Sequence, residues 1–172
     1  MSISLNLNKI YNEIPKDVLL VAVSKTKPIS DIQIAYNSGQ LHFGENQIQE
    51  LTTKENKLPK NIKWHMIGHL QRNKVKYIAS FIYMIQSVDS LKLLKEINKQ
   101  AIKNKRNINV LIQVDISEDS TKFGFSFKEI NQLLLIEKFK EFQNVSIKGL
   151  MGMASFTSNE KLIRKEFNNL ND

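Results

Sequence analysis

The sequence predicts an α/β protein built on a parallel sheet, and three observations carry that reading. Short apolar runs rich in β-branched residues recur six times along the 172 residues, each followed by a stretch of helical periodicity. Successive runs are separated by enough chain for a helical crossover, the connection that parallel neighbours require. No Gly-x-Gly-x-x-Gly follows any run, so the usual dinucleotide-binding fingerprint is missing. From the residues alone two architectures accept six such units: an open doubly wound sheet, or a closed eight-stranded barrel short of two units. Taken as a barrel, six units expose two strand edges beside a gap, a pairing liability.

Residues 18–23, Val-Leu-Leu-Val-Ala-Val, are expected as the first strand, buried on both faces. The run ends at Lys25. Ligands of α/β folds gather beyond the carboxyl ends of parallel strands, so an amine at that position is a candidate site residue. A short helix over residues 3–12 precedes the strand, with Leu5, Leu7 and Ile10 as its apolar positions. Pro28 stops the strand, Ser30 with Asp31 opens a crossover helix to residue 37, and Gly39 suits a left-handed cap. A second short strand, residues 41–43, runs into Gly44-Glu45-Asn46 and a polar helix to residue 57, ended by Pro59.

The third strand, residues 62–67, holds the one tryptophan, Trp64, and leaves through Gly68-His69-Leu70-Gln71 into a helix over residues 71–79. The fourth, residues 81–88, exits through Ser87-Val88-Asp89-Ser90. Leu91, Leu94, Ile97 and Ala101 then form the clearest amphipathic stripe in the chain, a helix that must cover a sheet. The fifth strand, residues 110–116, is followed by a polar loop over residues 117–124. Ser126 and Glu129 make a capping box for a helix whose Leu133, Leu134 and Phe139 face inward. After the sixth strand, residues 145–151, Thr157 and Glu160 repeat the capping-box spacing before a last helix to residue 170.

Composition bounds the functional classes. A hydrophobic fraction of 41% in 172 residues suits one globular domain with a real core. The apolar runs fall well short of a bilayer span, and the amino terminus lacks a basic segment followed by an apolar one. A soluble cytoplasmic protein is therefore expected. With no cysteine there is no disulfide framework, thiolate metal site or cysteine nucleophile. The net charge of +8 comes from scattered lysines. Its densest cluster, Lys103, Lys105 and Arg106, reads as cations at a helix carboxyl terminus, so no nucleic-acid partner is expected. His65 and His69 straddle a strand end and a turn, without the glutamate of the zinc-protease motif, and read as structural histidines. Ser24 and Ser155 have no evident histidine-carboxylate partners, which leaves a hydrolase unsupported.

Four segments together carry a family resemblance: Val21-Ala22-Val23-Ser24-Lys25-Thr26-Lys27-Pro28, Phe43-Gly44-Glu45-Asn46, Trp64-His65-Met66-Ile67-Gly68-His69-Leu70-Gln71-Arg72-Asn73-Lys74, and Lys148-Gly149-Leu150-Met151. In order and spacing, from residue 1 to about residue 156, they resemble the pyridoxal phosphate homeostasis protein family. The resemblance implies a parallel (β/α)8 barrel of the alanine racemase N-terminal type, with residues 1–172 as a single domain binding pyridoxal 5'-phosphate (PLP). By the same resemblance Lys25 forms the Schiff base, Asn46 lies near the cofactor and Met151 packs near its ring. Ser87 is added because a hydroxyl at the exit of the fourth strand reaches the same mouth.

Only six of the eight βα units are present. Members of the family continue with two further strands whose Ser-Gly-Met-Ser-like and Gly-Ser-Thr-like turns hold the phosphate and whose arginine faces the pyridine nitrogen. The expectation is a carboxyl-terminally shortened version of a longer chain. The family is regarded as carrying or regulating PLP without established catalytic turnover, which implies PLP-dependent apoenzymes as partners; a monomer is expected. A barrel-type amino-acid racemase is the alternative, although it needs a second acid/base from another domain. Tyr11, Tyr36, Tyr77 and Tyr83 fall at no predicted strand exit and read as packing residues.

Overall fold

Six parallel strands pair in chain order, each to the next. The computed structural model describes residues 2–117, 123–135 and 137–171. Its strands are β1 (Ala22–Val23), β2 (His42–Glu45), β3 (Lys63–Met66), β4 (Met84–Val88), β5 (Ile108–Val114) and β6 (Val145–Gly152). The helices are α1 (Ile3–Glu13), α2 (Ile29–Asn37), α3 (Ile48–Lys57), α4 (Leu91–Lys103), α5 (Phe127–Leu135) and α6 (Glu160–Asn171). Two 3₁₀ helices, Arg72–Tyr77 and Lys138–Glu141, complete the connections. Sequential order decides between the two architectures. A doubly wound sheet reverses its strand order at a switch point, whereas a singly wound sheet of this kind is the wall of a barrel.

In-register parallel pairing gives each face of the sheet one set of residues. Val23, Gly44, His65, Met84 and Asn109 follow one another across β1 to β5 on the inner face. Glu45, Met66, Ile85 and Val110 form the neighbouring row on the outer face. The outer row meets the helices, and the core lies there. Phe43 and Trp64 are in ring contact, while Leu51, Val75, Ile78, Leu94, Ile97 and Ala101 pack against the sheet fully buried. The α4 stripe is as the periodicity predicts, with Leu93 buried beside it.

Several elements depart from the sequence pattern for identifiable reasons. The first strand is two residues long and is not buried on both faces: Val18, Leu19 and Val23 are exposed. It is an edge strand with β2 as its single neighbour in the sheet. In α1 only Leu7 is buried; Leu5 and Ile10 are exposed on a helix that meets α2 through Leu7 and a Ser4 to Ser38 hydroxyl contact of 2.7 Å, with Tyr11 reaching Gln40 beyond it. Pro28, not Ser30, occupies the N-cap of α2, while Gly39 takes the expected left-handed conformation at φ 95°. Leu134 is exposed, and Phe139 belongs to the second 3₁₀ helix, leaving Ile130 as the buried anchor of α5.

The Ser126–Glu129 capping box forms as predicted, with the Glu129 amide donating to Ser126 Oγ at 3.2 Å and the Ser126 amide to Glu129 Oε2 at 2.8 Å. The Thr157–Glu160 box does not. Asn159 caps α6 instead, its Oδ1 accepting from the Leu162 amide, and Thr157 supports it by accepting the Asn159 amide. Arg106 is no solvated helix-end cation: its guanidinium donates to the carbonyls of Ala79 and Ile82 at 2.8 and 2.9 Å, closing the turn before β4. Most of the polar loop expected over residues 117–124 lies outside the described residues.

The amino-terminal end of the inner face is filled by rings. His42 and His65 are hydrogen-bonded Nδ1 to Nε2 at 2.9 Å, Gln86 Nε2 meets His65 Nδ1 at 2.8 Å, and Tyr83 packs edge-on against His42. With the Gln86 amide donating, His65 accepts at Nδ1 and donates from Nε2, so both imidazoles are satisfied while neutral. Burial, and then the His42 charge, pushes His65 from its ordinary 6.5 down to about 4; burial and Lys63 lower His42. The unfolded chain therefore binds protons in this window that the folded chain refuses, so stability falls as pH falls from about 6.5 to about 4. The loss from His65 is on the order of 3 kcal/mol. Denaturant midpoints measured across this range should drop, and the His65→Gln chain should show a flatter dependence; equal slopes would contradict the assignment.

Candidate functional site

The carboxyl exit of β1 is where the sequence concentrates chemistry, and a buried polar cluster shapes it. The Ser24 amide extends the ladder to the Gly44 carbonyl at 2.9 Å, and the buried Ser24 hydroxyl turns toward the helix layer to donate to Glu45 Oε1 at 2.6 Å. Lys54, buried on α3, donates to the Ser24 carbonyl, Glu45 Oε1 and Glu50 Oε2 at 2.8, 2.8 and 2.9 Å, which uses all three hydrogens of its ammonium. Glu50 Oε2 also accepts the Thr26 amide at 2.9 Å. The Lys27 amide donates to the Ser24 carbonyl at 3.0 Å, closing a four-residue turn with Lys25 at its first corner and Thr26 at its second.

Thr26 has φ 63°, a conformation in which glycine is usual and a β-branched residue is an outlier. The turn stands because both ends of its strained segment are bonded into the cluster. The charges divide accordingly. The Lys54 hydrogen bond, followed by the Thr26 amide, holds the Glu50 carboxyl down to about 2. Burial pushes Glu45 up, against the pull of Lys54 and Ser24, and its Oε2 has no hydrogen-bond partner among the described residues. Glu50, held low, is a carboxylate paired with Lys54 at 2.9 Å.

The other strand exits are laced to this one. A Cβ on Gly68 would stand 2.4 Å from the Asn46 carbonyl oxygen, so only glycine lets the β2 and β3 exits approach so closely. Ser87 donates to the Gly68 carbonyl at 2.6 Å, tying β4 to β3. His69 pairs with Asp89 at 3.0 Å and stacks on Phe123, with ring centroids 4.1 Å apart. Gln113 Nε2 donates to the Phe123 carbonyl at 2.7 Å, bringing in β5.

Against this rim the four predicted site residues fall as follows. Val23 points to the inner side and Ser24 to the helices, and Lys25 follows them exposed at the first corner of the turn. Asn46 follows β2 at the adjacent exit, half-buried, with its backbone against Gly68. Met151 pairs with Gln113 on the inner face of β6, the opposite edge of the sheet. Ser87 is buried at the β4 irregularity, its hydrogen already given to Gly68. A cleft of about 480 Å³ between the β3 and β4 exits is lined by Arg72, Asp89 and Lys92, and none of the four reaches it. Glu45, Glu50 and Lys54 are absent from the sequence-based site. Their signal was the spacing of Glu50 and Lys54, four apart on one helix, just after a glutamate at a strand end.

Over residues 2–172 the chain matches the alanine racemase N-terminal domain family. It is 37% identical over 172 residues to the pyridoxal phosphate homeostasis protein of Haemophilus influenzae, covering 92% of this chain and 72% of that one. Among solved structures it superposes on PipY of Synechococcus elongatus without PLP at a TM-score of 0.93 and 31% identity, over 99% of this chain and 79% of that one. PipY with PLP bound gives 0.89 at 29% identity over the same shares. Alanine racemase of Clostridium difficile shares the fold, at a TM-score of 0.78 and 15% identity over 98% of this chain and 44% of that one.

The close approach of Gly68 to Asn46 yields a direct expectation. Gly68→Ala should destabilise the chain by about 1–3 kcal/mol, the range of an overpacked contact with backbone. Chemical denaturation checks the value, and a midpoint equal to that of the parent chain would refute the interlocked rim.

Proposed function

Because this chain belongs to the pyridoxal phosphate homeostasis protein family, within the alanine racemase N-terminal fold, we propose that it binds PLP on Lys25 as a Schiff base. On this reading it serves cofactor homeostasis in the cytoplasm, as a carrier or regulator and not as a racemase. The observation that carries the proposal is the position of Lys25: an exposed primary amine at the corner of a turn whose two flanking residues are bonded into a buried cluster. When bound, the cofactor supplies an aldehyde, which condenses with a neutral amine with loss of one water.

The chain's own residues fit that end of the molecule. Val23 is 53% exposed beside Lys25, and the Val21 and Ile67 side chains close over Gly44 next to it, an apolar wall for a flat ring. Asn46 offers an amide at the neighbouring exit, Met151 an apolar side chain from β6, and Ser87 the lone pairs left after its hydrogen goes to Gly68. The carrier reading draws support from the names of the relatives. It also fits the tyrosines: Tyr83 is packed against His42 and His65 at the amino-terminal end of the sheet, while Tyr11 and Tyr36 donate to Gln40 and Asn61. PLP-dependent apoenzymes are the partners such a carrier would serve, with the chain acting as a monomer. No helix among the described residues is long and apolar enough to cross a membrane.

Mixing the chain with PLP should produce visible imine absorbance, and borohydride should fix the cofactor's mass on the peptide containing Lys25. Lys25→Ala should abolish both signals, and the parent chain should not convert L-alanine to its enantiomer. An adduct that survives Lys25→Ala, or measurable racemisation, would overturn the proposal.

A further inference from the structure

We propose that Glu50 and Lys54 of α3 are positioning residues for Lys25, fixing the turn that holds its amine at the exit of β1. The inference rests on the cofactor reading for its functional consequence and on geometry for its substance. Lys25 is held by neither its own side chain nor a ladder bond of its own. It is held from both sides: Lys54 grips the Ser24 carbonyl before it, and Glu50 grips the Thr26 amide after it. Lys54 and Glu50 are themselves paired at 2.9 Å, so the two grips form one unit on one helix.

The unit also separates two lysines that the sequence places two residues apart. Lys27 lines a cleft on the helix side with Pro28, Gln49 and Glu50, and lines another with Ile3 and Asp31. Lys25, exposed at the first corner of the turn, lines neither cleft. Thr26 between them holds a left-handed conformation that its β-branched side chain disfavours, so the turn needs an external bond to persist. Without the Glu50 acceptor the segment has a ready escape to ordinary dihedral angles, and the distinction between the two amines is lost. Preorganisation of this kind lowers the ordering cost that binding must otherwise meet.

The test compares the full chain with Glu50→Ala, with Glu50→Gln, which keeps an oxygen able to accept the Thr26 amide, and with Glu55→Ala. Glu55 lies on the same helix but pairs with Lys60, away from the turn. Without cofactor, hydrogen exchange at the Thr26 amide should quicken about tenfold or more in Glu50→Ala, as expected when a charge-assisted bond is removed. The ratio of Lys25 to Lys27 labelling by acetic anhydride should shift in the same variant. With PLP, its dissociation constant should rise about tenfold, Glu50→Gln should stay within about threefold of the parent, and Glu55→Ala should match the parent. Parent-like amide exchange and labelling in Glu50→Ala would overturn the inference, as would equal weakening by Glu50→Ala and Glu55→Ala. Should the parent chain form no adduct on Lys25, the cofactor reading fails, and the amide exchange and labelling alone decide the positioning role.

Discussion

One buried ammonium organises the candidate site. Lys54 donates each of its hydrogens to a different group: the strand-end carbonyl of Ser24, the buried Glu45 side chain and the Glu50 carboxylate that anchors a left-handed turn. Burying such a charge is unfavourable unless its partners are well placed, and breaking a buried pair by removing one member costs about 3–5 kcal/mol. The cluster is therefore weak evidence for stability and stronger evidence for specificity of conformation. What it specifies is where the chain goes after β1, and so the turn on which Lys25 stands.

The division of the sheet into two faces explains why this arrangement is needed. The outer face is apolar and sealed by helices, with the Phe43–Trp64 contact and the α4 stripe at its centre. The inner face is polar and ring-filled at its amino-terminal end and open at its carboxyl-terminal end. A short edge strand such as β1 has too few ladder bonds to hold its exit against that asymmetry. The polar cluster on the helix side supplies the missing constraint, while the Gly68–Asn46 approach and the Ser87–Gly68 bond do the same for the next three exits.

Much of this was legible in the sequence, because the strand-helix alternation is a periodicity effect and the helices answer to local chemistry. The α4 stripe, the Ser126–Glu129 box and the left-handed Gly39 follow from side chains within a turn or two of one another. Lys25 was legible too, since an amine ending an apolar run falls at a strand exit whatever the architecture. The failures involve partners distant in sequence. The exposure of Val18, Leu19 and Val23 depends on β1 being an edge, which no local pattern encodes. The Thr157–Glu160 spacing fits a capping box as well as the true one does, yet Asn159 sits nearer the first turn and wins. Arg106 answers to carbonyls 24 and 27 residues earlier, and Lys54 to a carbonyl 30 residues earlier. A lysine in a polar helix carries no local sign that it is buried.

Which amine meets the cofactor, and from which side, decides whether Lys25 has the proposed role. A crystal structure of the chain after PLP binding and borohydride reduction examines that in one experiment. The new carbon–nitrogen bond should be on Nζ of Lys25, the ring should lie on the inner face beside Val23 and Asn46, and Lys54 should still hold the Ser24 carbonyl. A bond to Lys27, or a ring seated in the cleft against α3, would contradict it.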